Sequence, residues 1–179
     1  MIKDTVESFG LVSRLFHWVV AVMVVGMLLG GLFAGFLPRG DFRSLVVGLH
    51  KATGVTLLLL MMMRLGWRFA NPRTRDLGPN TFENQLGRLM HIFLYILVFL
   101  QPLFGILMSQ FFGSAVSVFG LFTLPALLPN NPAVGSVFSR MHSINALLLA
   151  VAVAIHAAAA LKHHFIDRDR TLMRMISGK

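Results

Sequence analysis

One segment, Arg140–Phe165, restricts the folds open to this chain more than any other. Nearly every residue between His142 and His156 is Ala, Val, Leu or Ile, and the segment is long enough to cross a hydrocarbon core about 30 Å thick as an α-helix. Fourteen residues at about 1.5 Å each place the two histidines about 21 Å apart, on one face of that helix. The segment therefore predicts one imidazole near each edge of a membrane, which suits two metal centres stacked across it.

Composition extends this prediction to the whole chain. Of the 179 residues, 56% are apolar and only 13% are charged, whereas about a quarter of a soluble domain is charged. The apolar residues form four blocks that predict membrane-spanning helices at about 15–37, 48–69, 87–110 and 138–165. We therefore expect an all-α integral membrane four-helix bundle in which residues 1–179 form a single transmembrane domain.

Several classes of site are disfavoured by the residues present. The chain has no cysteine, which excludes disulfides, thiolate-held Fe–S clusters and haem attached through a CxxCH motif. The net charge of +9 would suggest nucleic acid in a soluble protein, but the basic residues flank apolar blocks and no nucleic-acid motif is present. The predicted spans contain no acidic residue, which argues against a transporter of divalent metal ions. Any haem must be held by axial ligation and packing.

The connection between the third and fourth blocks, Phe111–Phe138, is apolar and uncharged but is interrupted by three prolines. We expect it to lie along the membrane surface as a cap and not to form a fifth span, because proline interrupts helices. Pro102 inside the third block predicts a kink whose freed carbonyl is covered by neighbouring helices. Thr81–Asn84 is expected to begin an amphipathic lead-in to that block.

The basic residues predict the orientation in the membrane. An even number of spans puts both termini on one side, and that side collects twelve of the sixteen basic residues: Lys3, Arg14, Arg64, Arg68, Arg73, Arg75, Arg88, Lys162, Arg168, Arg170, Arg174 and Lys179. The other side has Arg39, Arg43, Lys51 and Arg140. Because basic residues accumulate on the cytoplasmic side of membrane proteins, we expect both termini to be cytoplasmic.

Five histidines lie near the ends of the predicted spans. His17, His91 and His156 fall on the cytoplasmic side, and His50 and His142 on the outer side. Imidazoles at this depth are costly unless their polar nitrogens have partners, and a haem iron between two imidazoles provides a partner for both. Filling both axial positions favours electron transfer over oxygen chemistry. On depth alone, His50 pairs with His142, and His156 pairs with either His17 or His91.

In each of the other three predicted spans, a glycine or an arginine lies 14 residues after the histidine. Counting 14 residues from His17, His91 and His50 reaches Gly31, Gly105 and Arg64. The two glycines would leave room for a macrocycle at the depth of the outer haem, although they equally suit ordinary packing between membrane helices. Arg64 would lie at the depth of the inner haem, where a propionate could use it, although it also suits an anchor at the cytoplasmic edge.

Four motifs in order carry a family resemblance. They are LFHW at 15–18, GLHKATG at 48–54, MHSINA at 141–146, and IHAAAALKHHF with DRTLMRM at 155–175. Over nearly its whole length the chain resembles the bacterial cytochrome b561 family of small four-helix, dihaem cytochromes of the inner membrane. The length and the ending are similar to those of the branch that oxidises superoxide, although FGLFTLPALLPNNP before the fourth span matches that branch less clearly.

The resemblance implies a ligand for each axial position of two haems b. It implies that His17 and His156 bind the cytoplasmic haem and that His50 and His142 bind the periplasmic haem. It also implies a quinone partner and, by the superoxide-oxidising branch, oxidation of superoxide to oxygen coupled to reduction of ubiquinone. We expect the quinone near His163, which continues the histidine stripe toward the cytoplasm, with a site near the outer haem as the alternative.

The outer side is expected to receive the electron donor. Its four basic residues against the single acid Asp41 would raise the encounter rate of a small anion such as superoxide, although such residues are also ordinary flanks of membrane spans. The alternative function is a quinone-linked cytochrome b subunit that serves a periplasmic dehydrogenase or another redox protein. In that case the partner would dock on the cap between the third and fourth spans.

Overall fold

The computed structural model of the chain describes residues 1–75, 77 and 82–178. Four long helices account for most of these residues: α1 Leu11–Phe36, α2 Asp41–Phe69, α3 Phe82–Phe111 and α4 Pro132–Phe165. A short hairpin of β1 Val116–Val118 and β2 Phe122–Leu124 lies between α3 and α4, and the short helix α5 Thr171–Ile176 follows α4. Each of the four long helices is long and apolar enough to cross a membrane, which confirms the prediction of a helical membrane bundle.

The buried core is a narrow column where the four long helices meet. Each helix contributes two of its residues: Val20, Val24, Leu57, Met61, Leu97, Val98, Leu149 and Ala152. Most other large apolar side chains on these helices point outward and are exposed. In a membrane those side chains contact acyl chains, so the packed interior is small and the space for polar or bulky groups lies between the helices.

The helices begin earlier than the apolar blocks predicted. α2 begins at Asp41, whose carboxylate in the first turn is favourable beside the positive end of the helix dipole. α4 begins at Pro132, after Asn131 caps the helix by accepting a hydrogen bond from the backbone N–H of Val134 at 3.3 Å. Hydropathy locates the apolar centre of a span but not the polar turn before it, and this accounts for the difference.

α3 continues through its proline. Pro102 is buried inside α3, and helix is maintained from Phe82 to Phe111. Of the expected lead-in, Phe82–Asn84 forms the first turn of α3 itself, whereas Thr81 lies outside the described residues. Pro102 thus interrupts one backbone hydrogen bond without ending the helix, as membrane helices allow when neighbours cover the site.

We call residues 112–131 the cap. Its hairpin is antiparallel, with Val116 opposite Leu124 and Val118 opposite Phe122, and positive φ angles at Phe119 and Gly120 form its turn. These strands were not predicted from the sequence. Val116 and Val118 pack on Val55 of α2, so the cap covers the ends of the helices.

A buried glutamine fixes the cap to α3. The side-chain nitrogen of Gln110 donates to the carbonyl of Pro125 at 2.8 Å, and its oxygen accepts from the backbone N–H of Leu127 at 2.7 Å. Because both ends of the amide are used, the chain after the hairpin is held against the last turn of α3.

The opposite end of the bundle, which we call the terminus side, gathers both chain ends. The backbone N–H of Arg75 donates to the carbonyl of Val6 at 2.7 Å, and the Arg174 guanidinium donates to the carbonyl of Arg75 at 3.0 Å. The indole N–H of Trp18 donates to the carbonyl of Met175 at 3.0 Å. The first residues, residues 70–75 after α2, and α5 therefore form one layer, and the cap lies at the other end.

Candidate haem-binding site

Two histidines form what we call the cap-side pair. His50 on α2 and His142 on α4 have ring centres 6.3 Å apart, with ring planes at 77°. Each ring lies against a glycine of another helix. A Cβ atom added to Gly31 on α1 would lie 3.0 Å from Cε1 of His50, and one added to Gly105 on α3 would lie 3.2 Å from Cε1 of His142. All four long helices therefore shape this end of the site.

The two rings of the cap-side pair have different polar surroundings. Nδ1 of His142 lies 3.0 Å from the backbone oxygen of Gln101, and its Nε2 lies 3.1 Å from the side-chain nitrogen of Gln101. The amide of Asn145 donates to the side-chain oxygen of Gln101 at 2.6 Å. Nδ1 of His50, by contrast, is buried and has no hydrogen-bond partner among the described residues. His142 is therefore fixed by hydrogen bonds, and His50 by packing.

Three histidines meet nearer the terminus side. The ring centres of His17 on α1 and His156 on α4, the terminus-side pair, are 6.3 Å apart with planes at 63°. The ring of His91 on α3 lies 5.3 Å from that of His156. The guanidinium of Arg64 approaches Nδ1 of His17 at 3.3 Å and lies over the ring of Tyr95 at 5.4 Å. Both partners that the sequence left open for His156 are thus its neighbours.

The spacing of the rings tests whether an iron fits between them. A metal–imidazole bond is about 2.0 Å long, and the ring centre lies about 1.1 Å beyond the bonded nitrogen, so two rings on opposite faces of one iron have centres about 6.2 Å apart. His17–His156 and His50–His142 are both at 6.3 Å. His91 is about 1 Å too close to His156 for this arrangement. The two pairs therefore fit haem, and the glycines beside the cap-side pair leave room for a planar group.

His163 lies two helical turns beyond His156, at the terminus side. Its Nδ1 is 2.8 Å from a carboxylate oxygen of Asp169 and 3.1 Å from one of Asp167. Partial burial by itself raises the pKa of Asp169, but hydrogen bonds from the backbone N–H of Thr171 and from His163 outweigh it and hold that pKa below its usual value. The imidazole is thereby oriented by a carboxylate that stays ionised at neutral pH.

Lys51, next to His50 in the sequence, faces the cap. Its ammonium donates to the hydroxyl of Ser114 at 3.0 Å and lines a cavity of about 550 Å³ between the first turns of α2 and the hairpin. The remaining outer basic residues do not line it; Arg39 and Arg140 are exposed at the same end of the bundle. One half-buried cation, which follows His50 in the sequence, therefore borders the cavity under the hairpin.

Comparison with known proteins decides the family. The model of the prokaryotic cytochrome b561 family matches residues 8–178. The chain is 35% identical to cytochrome b561 homolog 2 of Escherichia coli K12 over 175 residues, covering 97% of this chain and 93% of that protein. The chain belongs to the prokaryotic cytochrome b561 family.

Two further relatives of this b561-family chain carry informative names. It is 30% identical to cytochrome b561 homolog 1 of E. coli K12, covering 89% of this chain and 92% of the relative. It is 28% identical to the probable superoxide oxidase CybB of Yersinia pestis, covering 91% and 92%. Family membership establishes a membrane protein of electron transfer that binds haem b, and it leaves the electron donor to be identified.

Sequence reasoning found the histidines of this b561-family chain but missed their polar neighbours. Gln101 and Asn145 were not singled out, although a carboxamide inside an apolar span is a signal, because it needs a hydrogen-bond partner there. The link between Lys51 and Ser114 depends on how the cap folds back over α2, and no sequence pattern shows it.

Proposed function

We propose that the chain is a dihaem cytochrome b, with His17 and His156 as the axial ligands of one haem and His50 and His142 as those of the other. The observation that carries this proposal is the equal separation of 6.3 Å between ring centres in both pairs, the distance that an iron between two imidazoles requires. Each pair supplies only neutral nitrogen donors. This suits haem better than zinc, because zinc sites usually also have thiolates or carboxylates.

Each group around the pairs has a defined task in this proposal. Haem supplies the one-electron redox chemistry. With a histidine in each axial position, a haem bound there would offer oxygen no open coordination site. Gly31 and Gly105 keep side chains out of the space beside the cap-side pair. The guanidinium of Arg64 is half-buried beside His17 and is placed to donate to a haem propionate.

We place the terminus side in the cytoplasm of a bacterial cell and the chain in the inner membrane. The support is the excess of basic residues that the sequence assigns to the side of the termini, twelve against four on the other side. The cap then faces the periplasm, and the two histidine pairs lie at two depths between the two aqueous phases.

We further propose that the donor is superoxide and that the acceptor is ubiquinone. Two superoxide anions lose one electron each and leave as oxygen, and one ubiquinone takes up two electrons and two protons. The support is the cationic cap side, above all Lys51 beside the cavity next to His50, together with the similarity to a probable superoxide oxidase.

His163 is the residue that we propose for the quinone. Its Nδ1 donates to Asp169, and when the ring is protonated its Nε2–H can donate a hydrogen bond to a quinone oxygen and then give it a proton. The position two turns beyond His156 keeps a bound quinone close to the terminus-side haem. A quinone near the cap-side haem is the alternative location.

A second function is favoured by a separate observation. The cap exposes large apolar side chains, with Leu121 83% and Leu127 80% accessible, at the end of the bundle that faces the periplasm in our orientation. Such residues would suit docking of a periplasmic dehydrogenase or another redox protein, with the chain as its quinone-linked cytochrome b subunit.

The decisive experiment is the visible spectrum of the purified protein with its haem-to-chain ratio. We expect two haems b per chain, and loss of mainly one of them in His50→Ala and in His156→Ala. A colourless preparation from cells supplied with haem would contradict the ligand assignment. Ubiquinone reduction driven by superoxide in the pure protein, and abolished by superoxide dismutase, would support superoxide as donor. A redox protein that co-purifies and alone reduces the haems would support the subunit instead.

A further inference from the structure

The cavity under the hairpin lies where a membrane span meets water. Its volume is about 550 Å³, and its wall on α2 is formed by residues 44–52. This wall includes Gly48, where the apolar block of the second span begins in the sequence. In a membrane the cavity is therefore level with the layer of lipid headgroups, which adds about 5–7 Å to each side of the hydrocarbon core.

The cavity offers one positive charge to a ligand. Lys51 is the only charged residue among the described residues that line it. The ammonium donates to the hydroxyl of Ser114 at 3.0 Å, and no carboxylate of a described residue lies within 4 Å of it. An ammonium has three hydrogens to donate, so two are left for a ligand. A half-buried cation without a carboxylate partner favours an anion.

The walls of the cavity are largely apolar. Leu45, Leu49 and Phe119 line it and are 58%, 49% and 52% exposed. A small free anion gains nothing from such side chains, whereas hydrocarbon gains free energy by covering them. One cation among exposed apolar side chains therefore matches a ligand with an anionic end and a hydrocarbon body.

The size of the cavity also indicates a large ligand. A water molecule takes up about 30 Å³ in the liquid, and a diatomic anion such as superoxide needs little more. Pockets for drug-sized ligands have volumes of about 300–1,000 Å³, and the 550 Å³ of this cavity lies within that range. The cavity is therefore far larger than the proposed electron donor requires.

We infer that this cavity binds the headgroup of an anionic phospholipid, with its phosphate on Lys51 and Ser114 and its acyl chains beside Leu45 and Leu49. In a zwitterionic headgroup the phosphate already has a cation of its own, so an anionic lipid gains more from the ammonium of Lys51. The inference goes beyond the proposed function, because lipid binding here does not depend on which molecule donates electrons.

Lipid and superoxide would share one cation. The proposed function assigns the ammonium of Lys51 to attracting superoxide, and a bound phosphate neutralises that charge. Phosphatidylglycerol should therefore slow superoxide-driven quinone reduction as the cavity fills. This consequence rests on the proposed function, whereas lipid binding itself does not. If phosphatidylglycerol binds at Lys51 without slowing the reaction, the lipid site stands and the proposed route of superoxide fails.

The test is a titration of the full-length protein in detergent with phosphatidylglycerol, in which native mass spectrometry counts the bound lipids. We expect one tight site, which Lys51→Gln should weaken about 10- to 100-fold, because hydrogen bonds to a charged group are lost. Lys51→Arg should keep most of the affinity, since a guanidinium also donates to phosphate. Arg39→Gln is the matched control: Arg39 is exposed at the same end of the bundle but does not line the cavity.

Ser117→Phe tests the cavity without changing its charge. Ser117 lines the cavity from the exposed side of β1 and pairs with Thr123 of β2 through the backbone. A phenyl ring there can fill the space while the strands stay paired, so it should also weaken phosphatidylglycerol binding. If Lys51→Gln fails to fold, Ser117→Phe decides the question.

Four results would overturn the inference. Equal phosphatidylglycerol affinity in wild type, Lys51→Gln and Ser117→Phe would show that the lipid binds elsewhere on the bundle. Equally tight binding of phosphatidylcholine would remove the role of the charge. Displacement of the lipid by inorganic phosphate at similar concentration would identify a site for the free anion. Displacement by a short-chain ubiquinone would assign the cavity to the quinone.

Discussion

Gly31→Ala tests the geometry of the cap-side pair with a single methyl group. The added Cβ would lie 3.0 Å from Cε1 of His50, whereas carbon atoms in ordinary contact are about 3.5–4.0 Å apart. The ring must therefore retreat by about 0.5 Å or more, which is about a quarter of an axial bond of about 2.0 Å. Gly30→Ala is the matched control, because an added Cβ there meets nothing within 4 Å.

The expected magnitude follows from overpacking. Forcing a methyl group into a filled site costs about 1–3 kcal/mol, which corresponds to about 5- to 150-fold weaker retention of the cap-side haem. Both variants gain helix propensity of up to about 1 kcal/mol on replacing glycine inside α1, so their difference isolates the contact with His50. In haem-free protein no axial bond opposes a shift of the ring, so Gly31→Ala should destabilise that form less than it weakens haem retention.

The assay is the reduced-minus-oxidised spectrum and the haem-to-chain ratio of both variants, with His50→Ala as the reference for loss of the cap-side haem. We expect Gly31→Ala to approach that reference and Gly30→Ala to match wild type. Equal spectra and equal ratios for the two alanine variants would refute the reasoning. Equal losses in both would also refute it, because only Gly31 contacts the ring.

Three further predictions follow from polar contacts at the two ends of the bundle. Gln110→Leu removes the side-chain hydrogen bonds of Gln110 to Pro125, Leu127 and Leu128 of the cap and should lower the stability to thermal unfolding in detergent by about 1–3 kcal/mol, with the haem spectrum unchanged. The folded-state pKa of Asp169 is lowered, so its contacts stabilise the fold above its usual pKa of about 3.9 and are lost as pH falls through the lowered value. Asp169→Asn should therefore unfold more easily than wild type at pH 7, where Asp169 is ionised. At a pH below the lowered pKa of Asp169 it should unfold no more easily than wild type. Lys51→Gln should slow superoxide-driven quinone reduction and weaken its dependence on salt, while Arg168→Gln on the terminus side should leave both unchanged.

The sequence was sufficient for the helices and for the positions of the histidines, because both depend on local periodicity. An apolar block identifies a span wherever it packs, and the 14-residue spacing places Gly31 and Gly105 at the depth of the cap-side rings, where the structure also has them. The choice between His17 and His91 as partner of His156 could not be made from depth. The proposal of His17 rests on the resemblance and is supported by the separation of the rings, 6.3 Å for His17–His156 against 5.3 Å for His91–His156.

The features that were missed depend on contacts between distant segments. The hairpin of the cap forms where Val116 and Val118 can pack on Val55 of α2, and an apolar stretch with three prolines does not indicate that packing. The hydrogen bonds of Gln101 and Asn145 require that α3 and α4 face each other at those two residues. Rotation of either helix would remove them without changing any sequence pattern.

α4 contributes one histidine to each pair, whereas α1 and α2 contribute to only one pair each. In the proposed dihaem arrangement, the distance between the two haem sites is therefore set by one continuous helix and does not depend on how the helices assemble. Electron tunnelling slows steeply with distance, so a membrane that thins, or a bundle whose helices tilt against each other, should change the speed of internal transfer very little. Under this proposal, substitutions of packing residues can change how tightly each site binds its haem while the rate of electron transfer between the two sites stays nearly constant.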